Sequence, residues 1–111
     1  MRSFLQVAAA KGTVLEATFI HHMEEVTRYC RPATSVWPTV YTDAELKQIE
    51  LPAFLLIGAG EKIYNPQKAI ERAQRLMPDL TAEIIPNAGH LLIMDQPEII
   101  NALILRFLNC D

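Results

Sequence analysis

A run of five consecutive apolar residues constrains the fold of this chain more than any other feature. Residues 53–57, Ala-Phe-Leu-Leu-Ile, follow Pro52 and end at Gly58. A strand with one face in water alternates apolar and polar side chains, and this run does not alternate. A strand that is covered on both faces is typical of a parallel sheet. The run therefore predicts an α/β fold.

A connecting helix and a second strand complete a predicted βαβ unit. Pro66 suits the first turn of a helix, and Pro78-Asp79 ends that helix. Its predicted inward face holds Ala69, Ile70, Ala73, Leu76 and Met77. Residues 82–86, Ala-Glu-Ile-Ile-Pro, predict the second strand. Because parallel strands need a crossover connection, this order predicts a right-handed βαβ unit.

A last helix follows the βαβ unit. Pro97 again suits a first helical turn, and we expect Asp95 to act as the N-cap rather than as a catalytic residue. The predicted buried face holds Ile99, Ile100, Leu103, Ile104, Phe107 and Leu108.

The N-terminal segment is interpreted as helical. Residues 13–16, Thr-Val-Leu-Glu, match the capping-box pattern, so Thr13 is the expected N-cap of a helix that extends to about Cys30. Its apolar stripe consists of Leu15, Phe19, Met23, Val26 and Cys30. This stripe predicts either a core face or a contact surface for a missing partner.

A proline-containing connector divides the chain into two parts. Pro32 and Pro38 disfavour a helix or a central strand between residues 31 and 41. A second capping box at residues 42–45, Thr-Asp-Ala-Glu, predicts a short helix to about Gln48. We therefore expect a helical segment with its connector at residues 1–41 and a βαβα part at residues 42–111.

Charge and composition narrow the possible partners. Ten Lys and Arg residues against 13 Asp and Glu residues give a net charge of −3, which disfavours binding to nucleic acid or anionic membranes. No apolar run approaches the roughly 20 residues of a membrane span. Cys30 and Cys110 match no metal spacing and predict free thiols in a reducing, cytoplasmic compartment.

No cofactor or metal is expected from the sequence. His21 and Glu25 are i, i+4 neighbours on one helix face, but two ligands without a third do not make a metal site.

Two residues lie where an open α/β sheet gathers its reactive groups. Glu61 follows the first predicted strand and His90 follows the second, 29 residues later. The carboxyl ends of parallel strands share one edge, so we expect a hydrogen bond between the two side chains. The carboxylate would fix the imidazole tautomer and leave the other ring nitrogen as a general base. Alternatively, His90 is a turn histidine bonded to backbone, and Glu61 forms a solvated ion pair with Lys62.

Four segments in order resemble the C-terminal end of the α/β-hydrolase family. They are Leu51–Gly58, Gly58–Ile63, Ile84–His90 and Asp95–Glu98 with the apolar helix that follows. The resemblance implies a hydrolase of esters or related bonds with a small-molecule substrate. It assigns Glu61 the role of the triad acid, where the family usually has Asp, and His90 the role of the base. Residues 1–41 would correspond to the end of the family's cap region.

The sequence departs from the family at the nucleophile. It contains no G-x-S-x-G elbow, and neither Ser3 nor Ser35 has flanking glycines. Cys30 and Cys110 fit that role no better, and the family's oxyanion-hole segment is missing. The sequence thus predicts the acid and the base of a triad without its nucleophile.

Three hypotheses remain open from the sequence. Two strands alone do not make a stable sheet, which favours either a hydrolase fragment lacking its N-terminal half or a small binding module that dimerises or docks through an exposed sheet edge. The third hypothesis is a helix-rich α/β module that folds alone and has no catalytic activity.

Overall fold

Two parallel strands and six helices make up the described part of the chain. The computed structural model describes residues 2–31 and 38–109. The elements in chain order are α1 (Arg2–Ala8), α2 (Ala17–Tyr29), α3 (Asp43–Lys47), β1 (Ala53–Gly58), α4 (Pro66–Leu76), β2 (Leu80–Ile85), α5 (Leu92–Asp95) and α6 (Pro97–Phe107). The predicted α/β architecture, a βαβ unit followed by a C-terminal helix and preceded by helical segments, is therefore confirmed.

The two strands pair in parallel along their whole length. The register runs from Ala53 opposite Leu80 to Gly58 opposite Ile85. Helix α4 connects the strands and contacts both of them. Strand β2 begins two residues earlier than predicted, because the parallel register extends its pairing back to Leu80, and it ends one residue earlier, at Ile85 rather than Pro86.

Local signals in the sequence determine where two of the helices begin. The Asn65 side chain accepts a hydrogen bond from the Lys68 backbone N–H at 2.9 Å and caps α4 ahead of Pro66. At α3 the predicted capping box is present, with Thr42 and Glu45 bonding each other's backbone N–H groups. These caps satisfy amide groups that have no partner inside the helix.

The core lies between the end of the sheet and α6. Ile85, Ala88 and Ile100 are fully buried there. The rings of Phe54 and Phe107 stack beside them at a centroid distance of 4.9 Å. Helix α4 contributes the buried residues that the sequence predicted for it, Ile70, Ala73 and Leu76.

Several predicted buried faces are wrong for the described residues. Helix α6 buries only Ile100, whereas Ile99, Ile104 and Leu108 are exposed. Strand β1 is half-buried along most of its length rather than covered on both faces. The reason is geometric: a sheet of two strands is too narrow to cover the full apolar stripe of a helix that packs on it.

The predicted start of the long N-terminal helix is also wrong. Helix α2 begins at Ala17 after Glu16, which makes no side-chain cap, and α2 has no fully buried residue. Thr13 does not cap this helix, and its hydroxyl instead donates a hydrogen bond to the Asp95 carboxylate at 2.6 Å. A separate short helix, α1, precedes it.

Some sequence predictions concern residues that the structure does not describe. Pro32, Ser35 and Cys110 lie outside the described residues, whereas Cys30 is an exposed free thiol. Among residues 2–31 and 38–109, none of the helices has both the length and the apolar character needed to cross a bilayer.

The core geometry predicts the cost of truncating Ile85. Ile85→Ala should lower the free energy of unfolding by about 2–5 kcal/mol, because it removes buried methyl groups and leaves a cavity. The matched control Ile93→Ala, at a position 63% exposed, should change it by less than about 0.5 kcal/mol. Chemical denaturation followed by circular dichroism measures both values, and equal losses would contradict this description of the core.

Candidate active site

The strand pairing continues into the two loops that carry the candidate residues. The Ala59 N–H donates to the Ile85 carbonyl and the Gly60 N–H to the Ala88 carbonyl, both at 2.8 Å. Gly58 is required at this point, since a Cβ there would collide with the carbonyl oxygens of Ala88 and Gly89. The loop after β1 and the loop after β2 therefore run side by side.

Glu61 and His90 meet on these adjacent loops, as the sequence predicted. The distance from Glu61 Oε2 to His90 Nδ1 is 2.7 Å. The Glu61 side chain is only 2% exposed, whereas the His90 side chain is 40% exposed. An ionised carboxylate can only accept hydrogen bonds, so Nδ1 carries the shared proton and Nε2 is left able to accept another.

The surroundings of Glu61 favour its ionised form. Burial raises the pKa of this carboxyl, but the hydrogen bonds from the Ile63 N–H and from His90, with the charge of His90, outweigh it and lower the pKa below its ordinary value of 4.5. The Ile63 N–H donates to Oε1 at 2.8 Å, so both carboxylate oxygens have partners. This arrangement differs from the alternative of a solvated ion pair with Lys62, because the Glu61 carboxylate is nearly buried and bonds the His90 ring.

The Glu61 carboxylate also affects the hydroxyl of Tyr64. Burial, the Glu61 negative charge and a hydrogen bond with that carboxylate together raise the pKa of the Tyr64 hydroxyl. Tyr64 therefore stays neutral at physiological pH and can act towards Glu61 only as a hydrogen-bond donor.

Sequence reasoning missed the role of Asp95. Asp95 is the last residue of α5 rather than the predicted N-cap, and Gln96 precedes α6 without a side-chain cap. The Asp95 carboxylate instead accepts hydrogen bonds from Gly89, Ala10 and Thr13. No local pattern reveals this, because two of its partners are more than 80 residues away in sequence.

An open cleft lies next to the loop that carries Glu61. Its volume is about 580 Å³, and its walls include Leu5, Ala9, Thr13, Leu15 and Lys62. A second cleft of about 360 Å³ shares Ala9 and Lys62 with it and extends to Gly60 and Ala88 beside the candidate pair. The two clefts place a mainly apolar surface close to the Glu61–His90 loops.

The helix that suggested metal ligands brings together no third ligand. Within the described part of the chain, no group of three or more His, Cys, Asp or Glu side chains is arranged to hold a metal ion.

Comparisons with known proteins find carboxylesterases that resemble this chain in sequence and in structure. No family model matches the chain. It is 45% identical over 85 residues to carboxylesterase YbfK of Bacillus subtilis strain 168, a match that covers 77% of this chain and 29% of that protein. The crystal structure of carboxylesterase CesB (YbfK) from the same species superposes with a TM-score of 0.82 at 35% identity, over 96% of this chain and 40% of that one.

A second solved relative agrees with the first. The naproxen esterase (carboxylesterase NP) of Bacillus subtilis matches with a TM-score of 0.77 and 32% identity, over 96% of this chain and 44% of its own. The chain spans 29% of the length of the curated relatives that it matches.

The Glu61 environment predicts a titration that depends on one histidine. In a carbon-13 NMR titration, the Glu61 carboxyl should have its midpoint below 4.5. His90→Ala should raise that midpoint, because it removes a hydrogen bond and a positive charge. The matched control His21→Ala, at an exposed position on α2, should leave it unchanged. An unaltered midpoint in His90→Ala would contradict the proposed pairing.

The same shift gives stability a defined pH dependence. Because the pKa of Glu61 is lower in the folded chain, its contribution is complete above 4.5 and is lost as the pH falls through the folded value. The Glu61→Gln variant should lack this part of the acid-induced loss. Denaturation curves measured at a series of pH values below 4.5 give the free energy of unfolding as a function of pH for the unaltered chain and for Glu61→Gln. The unaltered chain should show the steeper decrease, and identical slopes would contradict the lowered pKa.

Proposed function

This chain corresponds to the C-terminal portion of the α/β-hydrolase fold, and we propose that it supplies the acid and the base of a hydrolytic triad. The observation that carries the proposal is the 2.7 Å contact between the buried Glu61 carboxylate and His90 Nδ1. Its location beyond the carboxyl ends of two parallel strands is where open α/β sheets bind their substrates.

Each residue has a defined role in this proposal. His90 Nε2 accepts the proton of an attacking hydroxyl and then donates it to the leaving group. Glu61 holds the ring in the Nδ1–H tautomer and stabilises the imidazolium that forms during proton transfer. Glutamate in place of the family's usual aspartate is compatible with this role, because its longer side chain still reaches the ring at 2.7 Å.

The nucleophile and the oxyanion donors are proposed to come from another part of the fold. The sequence contains no G-x-S-x-G elbow. Matched relatives are longer, and this chain covers 40% and 44% of the two esterase structures. On its own, the 111-residue chain is expected to hydrolyse no ester.

Carboxylic esters are the proposed substrate class. Support comes from the carboxylesterase relatives and from the apolar cleft of about 580 Å³ beside Lys62. Residues 1–41 are proposed to be the end of a cap over that cleft, with residues 42–111 completing the hydrolase part. The superposition over 96% of the chain supports the cap assignment, since it extends beyond the βαβ unit.

A chimera tests the proposed roles. The aligned segment of carboxylesterase YbfK would be replaced by this chain, and p-nitrophenyl ester hydrolysis would be measured. We expect activity that His90→Ala lowers by about 10³-fold or more, because it removes the base. Glu61→Gln should also lower it by about 10³-fold or more, because it removes the carboxylate that holds the Nδ1–H tautomer and stabilises the imidazolium.

The matched control in the chimera is His21→Ala, which should retain activity. The isolated chain should show no turnover above a buffer blank. A cooperatively melting chimera whose activity survives His90→Ala would contradict the proposal, as would ester turnover by the isolated chain.

Self-association is a second candidate, favoured by a specific surface. Among the described residues each strand pairs on one side only, and Phe54, Ile104 and Leu108 line an open, mainly apolar groove between β1 and α6. Burial of this surface against a second copy would remove apolar area from water. Analytical ultracentrifugation should then give a mass that rises above 12.5 kDa with concentration, and a single-chain mass at all concentrations would contradict it.

A further inference from the structure

We propose that Asp95 is a positioning residue whose carboxylate holds the His90 loop against the N-terminal segment of the chain, so that the imidazole stays within reach of Glu61. This inference rests on the proposed function for its catalytic meaning. The geometry that carries it is a set of hydrogen bonds at one carboxylate, and it can be tested without hydrolysis.

The carboxylate joins two segments that are distant in sequence. Oδ2 accepts from the Gly89 N–H at 2.7 Å, one residue before His90. Oδ1 accepts from the Thr13 hydroxyl at 2.6 Å. The Ala10 N–H lies between the two oxygens, at 3.1 Å from Oδ1 and 3.0 Å from Oδ2. Asp95 thus connects the loop after β2 to the loop after α1.

The surrounding backbone leaves the His90 loop little freedom. A Cβ on Gly89 would lie 2.5 Å from the Ala8 carbonyl oxygen and 3.1 Å from the Ala10 nitrogen. The Leu91 N–H donates to the Ala8 carbonyl at 3.3 Å. The residues on both sides of His90 are therefore held against the end of α1.

A carboxylate suits this position because three residues direct donors at it. Hydrogen bonds to an ionised carboxylate are shorter and stronger than neutral ones. An asparagine could keep its oxygen towards the Gly89 N–H and donate from its NH₂ group to the Thr13 hydroxyl, which accepts as well as donates, so Asp95→Asn would leave the two segments joined. Alanine offers no side-chain acceptor, so Asp95→Ala removes the connection.

The position of His90 is consequently fixed from two sides. The Gly60 N–H to Ala88 carbonyl bond holds the loop to the sheet, and the Asp95 bond to Gly89 holds it to the N-terminal segment. Catalytic geometry tolerates little displacement, and a misplacement of about 1 Å can reduce a rate by about 10²-fold. Loss of the Asp95 connection would therefore act on the reaction through His90, not through contact with substrate.

Proton NMR of the 111-residue chain tests the inference directly. The Nδ1–H proton that His90 donates to Glu61 should give a downfield resonance in the unaltered chain. We expect this resonance to be lost in Asp95→Ala, as in the reference variant Glu61→Gln, while the slowly exchanging amides of β1 and β2 remain. The matched control Asp79→Ala, at an exposed position between α4 and β2, should keep it.

Two results with Asp95→Ala would overturn the inference. One is a spectrum with the resonance at its original position. The other is loss of strand amide protection together with the resonance, which would make Asp95 a residue of general stability. Thr13→Val provides a milder second variant, since it removes one donor and leaves the bond to Gly89. It should shift the resonance upfield without abolishing it, and an unshifted resonance would also count against the inference.

The chimera described above supplies a separate kinetic readout. In it, Asp95→Ala should lower kcat by about 10²-fold with a smaller change in KM, because binding of the substrate before reaction does not need His90 in its catalytic position. A rise in KM as large, in fold-change, as the fall in kcat would contradict a positioning role. If the chimera were inactive from the start, the proposed function would fail, whereas the NMR result would still decide the role of Asp95.

Discussion

Parallel pairing of β1 and β2 is the constraint on which the rest of the structure depends. Parallel strands place both carboxyl ends at one edge, and the backbone bonds of Ala59 and Gly60 extend that pairing beyond the strands. The loops can approach this closely because Gly58 has no side chain to separate them. Without this register, Glu61 and His90 would not be brought into contact, since 29 residues separate them in sequence.

The ionised state of Glu61 determines what its contact with His90 can do chemically. A carboxylate whose side chain is almost fully buried is normally costly, and here donors that include the Ile63 N–H, the His90 ring and the Tyr64 hydroxyl stabilise it. Its lowered pKa keeps it negative, so it can orient the ring and stabilise an imidazolium. Asp95 adds a second negative group that acts on the backbone of the same loop. The acid–base pair is thus supported from the sheet and from the N-terminal segment together.

Patterns that depend on neighbouring residues predicted the fold well. The uninterrupted apolar run at residues 53–57, Pro66 and the capping box at Thr42 each act within a few residues, and the structure confirms the elements they predicted. Failures arose where a distant partner decides the outcome. Thr13 and Asp95 were both expected to be N-caps, yet they bond each other across 82 residues. The exposed face of α6 was expected to be buried, because periodicity indicates an apolar face without indicating how much sheet is available to cover it.

The most direct test of the central claim is the tautomer of His90 at neutral pH, read from long-range proton–nitrogen correlations of its labelled ring. A carboxylate at 2.7 Å from Nδ1 predicts that Nδ1 carries the proton and that Nε2 is unprotonated. A ring protonated at Nε2 and bare at Nδ1 would contradict the account, since such a ring could neither donate to Glu61 nor accept a proton from a nucleophile.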